Sequence, residues 1–183
     1  MQFPVEAKLK DGTPIELVLA GSVDLPVLAR LYERIVAEGN SYPHDRQLNQ
    51  DEFHDYWVKG KSTVVAYERP RAPEATILGA FYLKPNWPGR ARHVANAGFI
   101  VAPEWRNRGL GWLLGAMMLD YAKELGYRSV LFNLVFSENQ AARHLWEKLG
   151  FHALAVIPQA VRKNGGGYQD ALIMFQSLSS PMK

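Results

Sequence analysis

A chain of 183 residues is long enough to bury a sizeable core and suggests one compact domain over residues 1–183. With 21 Lys and Arg against 18 Asp and Glu, the net charge of +3 gives no broad electrostatic footprint for nucleic acid, and 48% apolar content is ordinary for a soluble globular protein. The cysteine count is zero, which excludes disulfides, Cys-based zinc sites and a cysteine nucleophile. The N-terminal residues mix charged and apolar side chains and lack a signal-peptide core. Uncharged, mostly apolar runs such as Gly109 to Leu119 are too short for the roughly 20 residues of a bilayer span. The expectation is a cytoplasmic protein without membrane, nucleic-acid or metal partners.

In chain order, apolar runs at Val5–Leu9 and Ile15–Leu19 flank Asp11-Gly12-Thr13-Pro14, a hairpin signal. Ser22 to Ala37 reads as a helix, with Ser22 or Asp24 as cap, Pro26 in its first turn and Gly39-Asn40 as its stop. Asn49-Gln-Asp-Glu52 resembles a capping box and opens a short helix through Trp57. Strands follow at Ser62–Tyr67, Ile77–Leu83 and His93–Val101. Gly98, inside the last, marks a bulge or a close backbone approach. A helix spans Leu110–Leu125, a strand Ser129–Phe136 and a helix Asn139–Leu149. Strands at Phe151–Ile157 and Tyr168–Phe175 complete the chain. This order predicts a mixed α/β (α+β) layer with a largely antiparallel sheet and one β-α-β crossover near Val101–Phe136.

The most informative stretch runs from Gly98 to Leu114. A strand ends at Val101, and the loop Arg106-Asn107-Arg108-Gly109-Leu110-Gly111 enters a long helix. Glycine lets backbone approach a ligand, and the free N–H groups and dipole of a helix start favour a phosphate or pyrophosphate. Arg106 and Arg108 can add charge-assisted hydrogen bonds. The alternative is that the glycines merely shape a tight strand-to-helix turn. The Walker pattern fails, because Trp112-Leu113 stands where Lys-Ser/Thr is needed. The dinucleotide fingerprint lacks its third glycine.

A second segment, Asn139-Gln-Ala-Ala142-Arg-His-Leu145-Trp146-Glu-Lys-Leu-Gly150-Phe151, follows the next strand. Taken together, R-x-x-G-x-G and N-x-x-A-x-x-L-aromatic-x-x-x-G-F resemble the GNAT family of acyl-CoA N-acyltransferases, strongly over residues 93–151. The resemblance implies a GNAT-like sheet whose fourth and fifth strands splay apart to admit pantetheine, flanked by helices. It implies acetyl-CoA as co-substrate and direct attack of an amine on the thioester. Backbone groups of Phe99, Ile100 and Val101 would pair with pantetheine like an added strand. The N–H groups of Arg106, Asn107, Arg108, Gly109, Leu110, Gly111 and Trp112 would hold the pyrophosphate. Asn139 and Ala142 would line the thiol end. Trp146 departs from the common pattern, where Tyr can protonate the leaving thiolate; an indole N–H is no acid at neutral pH. A thiol of pKa about 8.5 is still a tolerable leaving group.

The usual carboxylate base is also absent from the His93–Val101 strand, which offers His93 and Asn96 on opposite faces. His93 reads either as a base or as a partly exposed strand-end residue. Asn133 interrupts the apolar run Val130–Phe136, and a buried amide must find partners. Asn96 and Asn133 are therefore either satisfied core amides or catalytic groups that bind a small polar substrate in the gap between strands. Gly39-Asn-Ser-Tyr-Pro43, Phe81-Tyr-Leu-Lys-Pro-Asn86, Asn96-Ala-Gly-Phe99 and Phe132-Asn-Leu-Val-Phe136 are similar to the azetidine-2-carboxylate (proline-analogue) N-acetyltransferases of yeast, a detoxifying group. That likeness implies substrate contacts from Asn96 and Asn133, Phe99 as a wall for a small ring, and a base acting through ordered water. Asn40, Tyr42 and His44 lie in the loop that would roof the acceptor. The acceptor expected is a small-molecule amine, most specifically a small cyclic amino acid. The alternatives are another small amine, an antibiotic, a protein N-terminus, or a non-catalytic acyl-CoA-binding module. The sequence is compatible with a homodimer.

Overall fold

The structure is a computed structural model and describes residues 1–72 and 74–178. Its elements are β1 (Val5–Lys8), β2 (Pro14–Leu19), α1 (Leu25–Ala37), α2 (Gln50–Trp57), β3 (Ser62–Glu68), β4 (Gly79–Pro85) and β5 (Val94–Val101). They continue as α3 (Leu110–Glu124), β6 (Ser129–Phe136), α4 (Gln140–Lys148), β7 (His152–Arg162) and β8 (Tyr168–Ser177). The strands form one sheet in the order β1-β2-β3-β4-β5-β6-β8-β7. The β5–β6 pair is parallel and the others are antiparallel. This is the expected mixed sheet with one crossover, through α3. The pair that parts is the fifth and sixth strand in sequence, not the fourth and fifth, because the hairpin at Asp11-Gly12 places two strands before α1.

Period-2 alternation with apolar residues at both parities explains why helices cover both faces. Val64, Ala66, Phe81, Leu83, Ala95 and Ala97 face the core under α3 and α4. Val65, Tyr67, Ala80, Tyr82 and Ile100 face the core under α1 and α2. Gly98 meets the close approach its position suggests. It pairs with Tyr82, and a Cβ there would lie 2.1 Å from that ring, so only glycine lets the ring lie across the strand.

The α2 start is the capping box expected: Asn49 accepts from the Glu52 N–H, and the Glu52 carboxylate accepts from the Asn49 N–H. At α1 the expectation needs correction. Asp24 holds the N-cap position, but its side chain caps nothing there. Its buried carboxylate instead accepts from the Gly21 N–H at 2.8 Å, the Tyr67 hydroxyl at 2.6 Å and Arg71 at 2.7 Å. Burial alone would raise this carboxyl. The Tyr67, Gly21 and Arg71 donors outweigh it and hold Asp24 below its ordinary 3.8. A depressed folded-state pKa stabilises the fold fully above pH 4, and that contribution fades as pH falls through the folded value. Asp24→Asn should therefore cost about 1–3 kcal/mol at pH 7 and progressively less as pH falls below 3.8, read from urea unfolding across that range.

Candidate active site

β5 and β6 bond only at Val94–Ser129 and Ala95–Val130, then diverge. On its far side β6 keeps pairing with β8, but with a bulge between Phe132 and Val135. The extra residue lets Phe132 and Val135, three apart, face the same core and turns Asn133 toward the gap. The result is a cleft of about 1100 Å³ that passes through the sheet. Phe99 and Trp146 line it on the α3–α4 side; Tyr56, Tyr82 and Asn96 line it on the α1–α2 side.

Along the parted strand, the Phe99 N–H and C=O face away from β4. The Tyr42 hydroxyl accepts from that N–H at 2.9 Å and donates to that carbonyl at 3.2 Å. One side chain of the α1–α2 loop thus stands in for a residue of an added strand. Beside it, Ser41 Oγ is buried without a partner and also lines the cleft.

At the other end of the cleft, α3 starts at Gly109, whose φ of +88° follows Asn107 at +61°. Left-handed backbone at these two positions turns successive N–H groups to one side, forming a nest for an anion. No side chain caps the helix, and the N–H groups of residues 107–112 donate to no protein acceptor among the described residues. The loop cations divide. Arg106 lines the cleft while its Nη2 contacts both Glu38 oxygens at 2.8 and 2.9 Å. Arg108 does not line the cleft, contrary to the expected phosphate contact. It lies over Trp105, 4.1 Å from the ring centroid, and bonds Asp11 and Thr13 of the N-terminal hairpin. Asp11, held by Thr13 and then Arg108, stays well below the usual carboxylate range. Leu110 is a core side chain and can offer the cleft only its N–H.

The opposite end carries the amides. Asn96 is buried and donates to the Leu131 carbonyl at 2.9 Å across the gap, leaving its Oδ1 without a partner among the described residues. Asn133 exchanges hydrogen bonds with Asn86, at 2.8 and 3.3 Å. Trp146 packs edge-on to Phe99 at 4.9 Å and against Phe132 at 4.5 Å, closing the apolar wall. Tyr56 and Tyr82 are kept neutral, burial pushing both hydroxyls up.

The cleft gathers most residues singled out in the sequence: Asn40, Tyr42, Asn96, Phe99–Val101, Arg106, Asn107, Gly109, Gly111, Trp112, Asn133, Asn139 and Ala142. Asn139, however, caps α4 through the Ala142 N–H and donates to the Asn40 carbonyl, so its amide ties two walls together. His44 lies outside, bonded to the Tyr32 hydroxyl at 2.6 Å. His93 is exposed where β5 begins and does not line the cleft. Ser41, Tyr56, Tyr82, Lys84 and Asn86 line or border the acceptor end without having been singled out as site residues. The signal for the last two was a polar pair two apart at the end of an apolar strand.

A parallel strand pair opened beside an uncapped helix start, with amides at the far end, is the architecture of an acyl-CoA N-acyltransferase. The acetyltransferase (GNAT) family model matches residues 28–151. The chain is 37% identical over 161 residues to the N-acetyltransferase aca1 of Schizosaccharomyces pombe, covering 79% of this chain and 77% of that one. It is 26% identical over 148 residues to the L-amino acid N-acyltransferase MnaT of Escherichia coli, covering 80% and 84%. A GCN5-related N-acetyltransferase from Kribbella flavida matches with a TM-score of 0.81 at 31% identity, covering 89% of this chain and 97% of that one. The chain belongs to the GNAT family and is an N-acetyltransferase. The free N–H nest, the unpartnered Ser41 hydroxyl and the strand edge that Tyr42 satisfies fit a co-substrate with phosphates at one end and an amide-bearing arm.

Proposed function

We propose that this N-acetyltransferase moves acetyl from acetyl-CoA to the ring nitrogen of a small cyclic amino acid, such as azetidine-2-carboxylate or another proline analogue. The observation that carries this reading is the set of amides at the acceptor end, Asn96, Asn133 and Asn86, beside the apolar wall of Phe99 and Trp146. Acetyl-CoA supplies an activated acyl group as a thioester. The residues 107–112 N–H groups hold its diphosphate, and the Phe99 edge orders its arm. The Asn96 Oδ1 accepts from the acceptor N–H and so turns the nitrogen lone pair toward the thioester carbon. Among the described residues the one carboxylate lining the cleft, Glu38, is clamped by Arg106. The ring nitrogen therefore passes its proton to ordered water. The E. coli relative, an L-amino acid N-acyltransferase by name, supports an amino acid acceptor. A cytoplasmic enzyme that clears toxic analogues is the role this implies. A homodimer through the apolar side chains that β7 exposes, Leu154, Val156 and Ile157, belongs to the same proposal.

The test is thiol release from acetyl-CoA with azetidine-2-carboxylate, against linear amino acids, larger amines and N-terminal peptides. Turnover confined to the larger acceptors overturns the reading. Tyr42 adds a second check. If its hydroxyl must leave the Phe99 edge when coenzyme enters, Tyr42→Phe should tighten coenzyme A binding three- to tenfold, measured by calorimetry.

A further inference from the structure

The polar row at the acceptor end contains one charged side chain. Tyr82 and Lys84 share a face of β4, being two apart, and Asn86 follows directly after the strand ends at Pro85. Tyr82 lies opposite Gly98, Lys84 lies opposite Asn96, and Asn86 reaches across to Asn133. Directly opposed residues have Cβ atoms about 4.5–5.5 Å apart, so the Lys84 stem starts next to the Asn96 amide. Lys84 is half-buried, lines the cleft and has no hydrogen-bond or ion-pair partner among the described residues. Its cationic neighbour Lys61 is already engaged, bonding the Asp55 and Lys59 carbonyls. Burial and then the Lys84 charge push the Lys61 ammonium down against the opposing pull of the Asp55 carboxylate, so this corner carries more positive than negative charge. The other cations lining the cleft stand on different elements: Lys8 ends β1, Lys10 packs beside Gly109, Arg106 is held by Glu38 and Lys148 ends α4.

We propose that Lys84 binds the carboxylate of the acceptor and thereby restricts acetylation to amines with a carboxylate on the adjacent carbon. This rests on the amino acid reading above and sharpens it. A carboxylate on Lys84 and an N–H on the Asn96 Oδ1 fix two points of the acceptor one carbon apart, which sets the direction of the nitrogen lone pair. A carboxamide offers only a neutral acceptor, and charge-assisted hydrogen bonds are roughly twice as strong. Polyamines and other acceptors with a second amine bring a positive charge against Lys84 and are turned away by repulsion.

The experiment uses the full chain and initial rates with azetidine-2-carboxylate, proline and alanine, each beside its own carboxamide. The wild-type protein should prefer each acid at least tenfold in kcat/KM, mainly through KM. In Lys84→Met the KM for the acid should rise about ten- to thirtyfold while kcat stays within about threefold, and the acid-to-amide ratio should fall near one. Lys84→Arg should restore most of the ratio, which a purely structural loss would not. The coenzyme A dissociation constant and the melting temperature report whether each variant is folded. Equal use of acid and carboxamide by the wild-type protein overturns the proposal without needing a variant. A ratio unchanged in Lys84→Met overturns it also. If linear amino acids are acetylated instead of cyclic ones, with the same dependence on carboxylate and Lys84, the cyclic reading falls and the Lys84 assignment stands. Turnover only of amines that lack a carboxylate removes both.

Discussion

Replacing Asn133 with alanine should lower kcat/KM at least a hundredfold while leaving coenzyme affinity and stability almost unchanged. The side chain is exposed to the cleft and its one amide partner, Asn86, is solvent-accessible too. Truncation therefore strands no buried polar group, and the stability change should stay within about 0.5 kcal/mol. The catalytic effect has a different origin. Asn133 stands on the β6 bulge, aimed at the gap where β5 and β6 part, which is where the proposed function places the acceptor. Loss of one preorganised polar group at a reacting centre typically costs about 10²–10³ in rate. Steady-state kinetics, urea unfolding and coenzyme calorimetry on the same preparation separate the three quantities. Retained turnover in Asn133→Ala would remove this residue from the site and leave Asn96 alone to orient the amine.

Gly111→Asp should weaken coenzyme A binding more than a hundredfold and yet leave the fold at least as stable. A Cβ at Gly111 meets only ordinary van der Waals contacts, Leu145 at 3.5 Å and Val101 at 3.8 Å, so the substitution fits. An acidic side chain in the first turn of α3 gains about 0.3–1 kcal/mol from the helix dipole. The same carboxylate lies beside the free N–H groups that an incoming diphosphate needs. Like charges 4 Å apart repel by about 4 kcal/mol at an effective dielectric of 20, so a hundredfold loss is a modest expectation. Affinity and melting temperature moving in opposite directions identify the nest as a ligand site rather than a tight turn alone. Affinity unchanged in Gly111→Asp would place the phosphates elsewhere.

Local chemistry carried much of the fold into the sequence. The capping box at Asn49, the β6 limits Ser129–Phe136 and the helix stop at Gly126 depend on residues a few positions apart, whose backbone preferences act before any tertiary contact forms. The coenzyme loop was legible for the same reason: an uncapped helix start with glycines is a local object. The acceptor end was only half legible. Asn96 and Asn133 were visible as amides in apolar strands, while Lys84 read as one of many lysines.

What tertiary structure decided follows from contacts between residues far apart in the chain. Arg106 and Arg108 are two positions apart in one loop and chemically equivalent in sequence. Glu38 and Asp11 arrive from different elements and send one toward the cleft and the other away from it. Asp24 had the composition of a helix cap, but Tyr67 and Arg71 offered its carboxylate stronger partners from 43 and 47 positions away. The β6 bulge breaks the period-2 alternation of faces along β6, and no local pattern in Val130–Phe136 marks it, since it exists only relative to β8. Register alone sets Lys84 beside Asn96 and Gly98 under Tyr82. The sequence by itself therefore determined the elements, the family and the uncapped, glycine-bearing start of α3, because these rest on neighbours in the chain. The acceptor site was decided when strand pairing brought distant polar side chains into one gap, where each partner is chosen by geometry and charge rather than by position in the sequence.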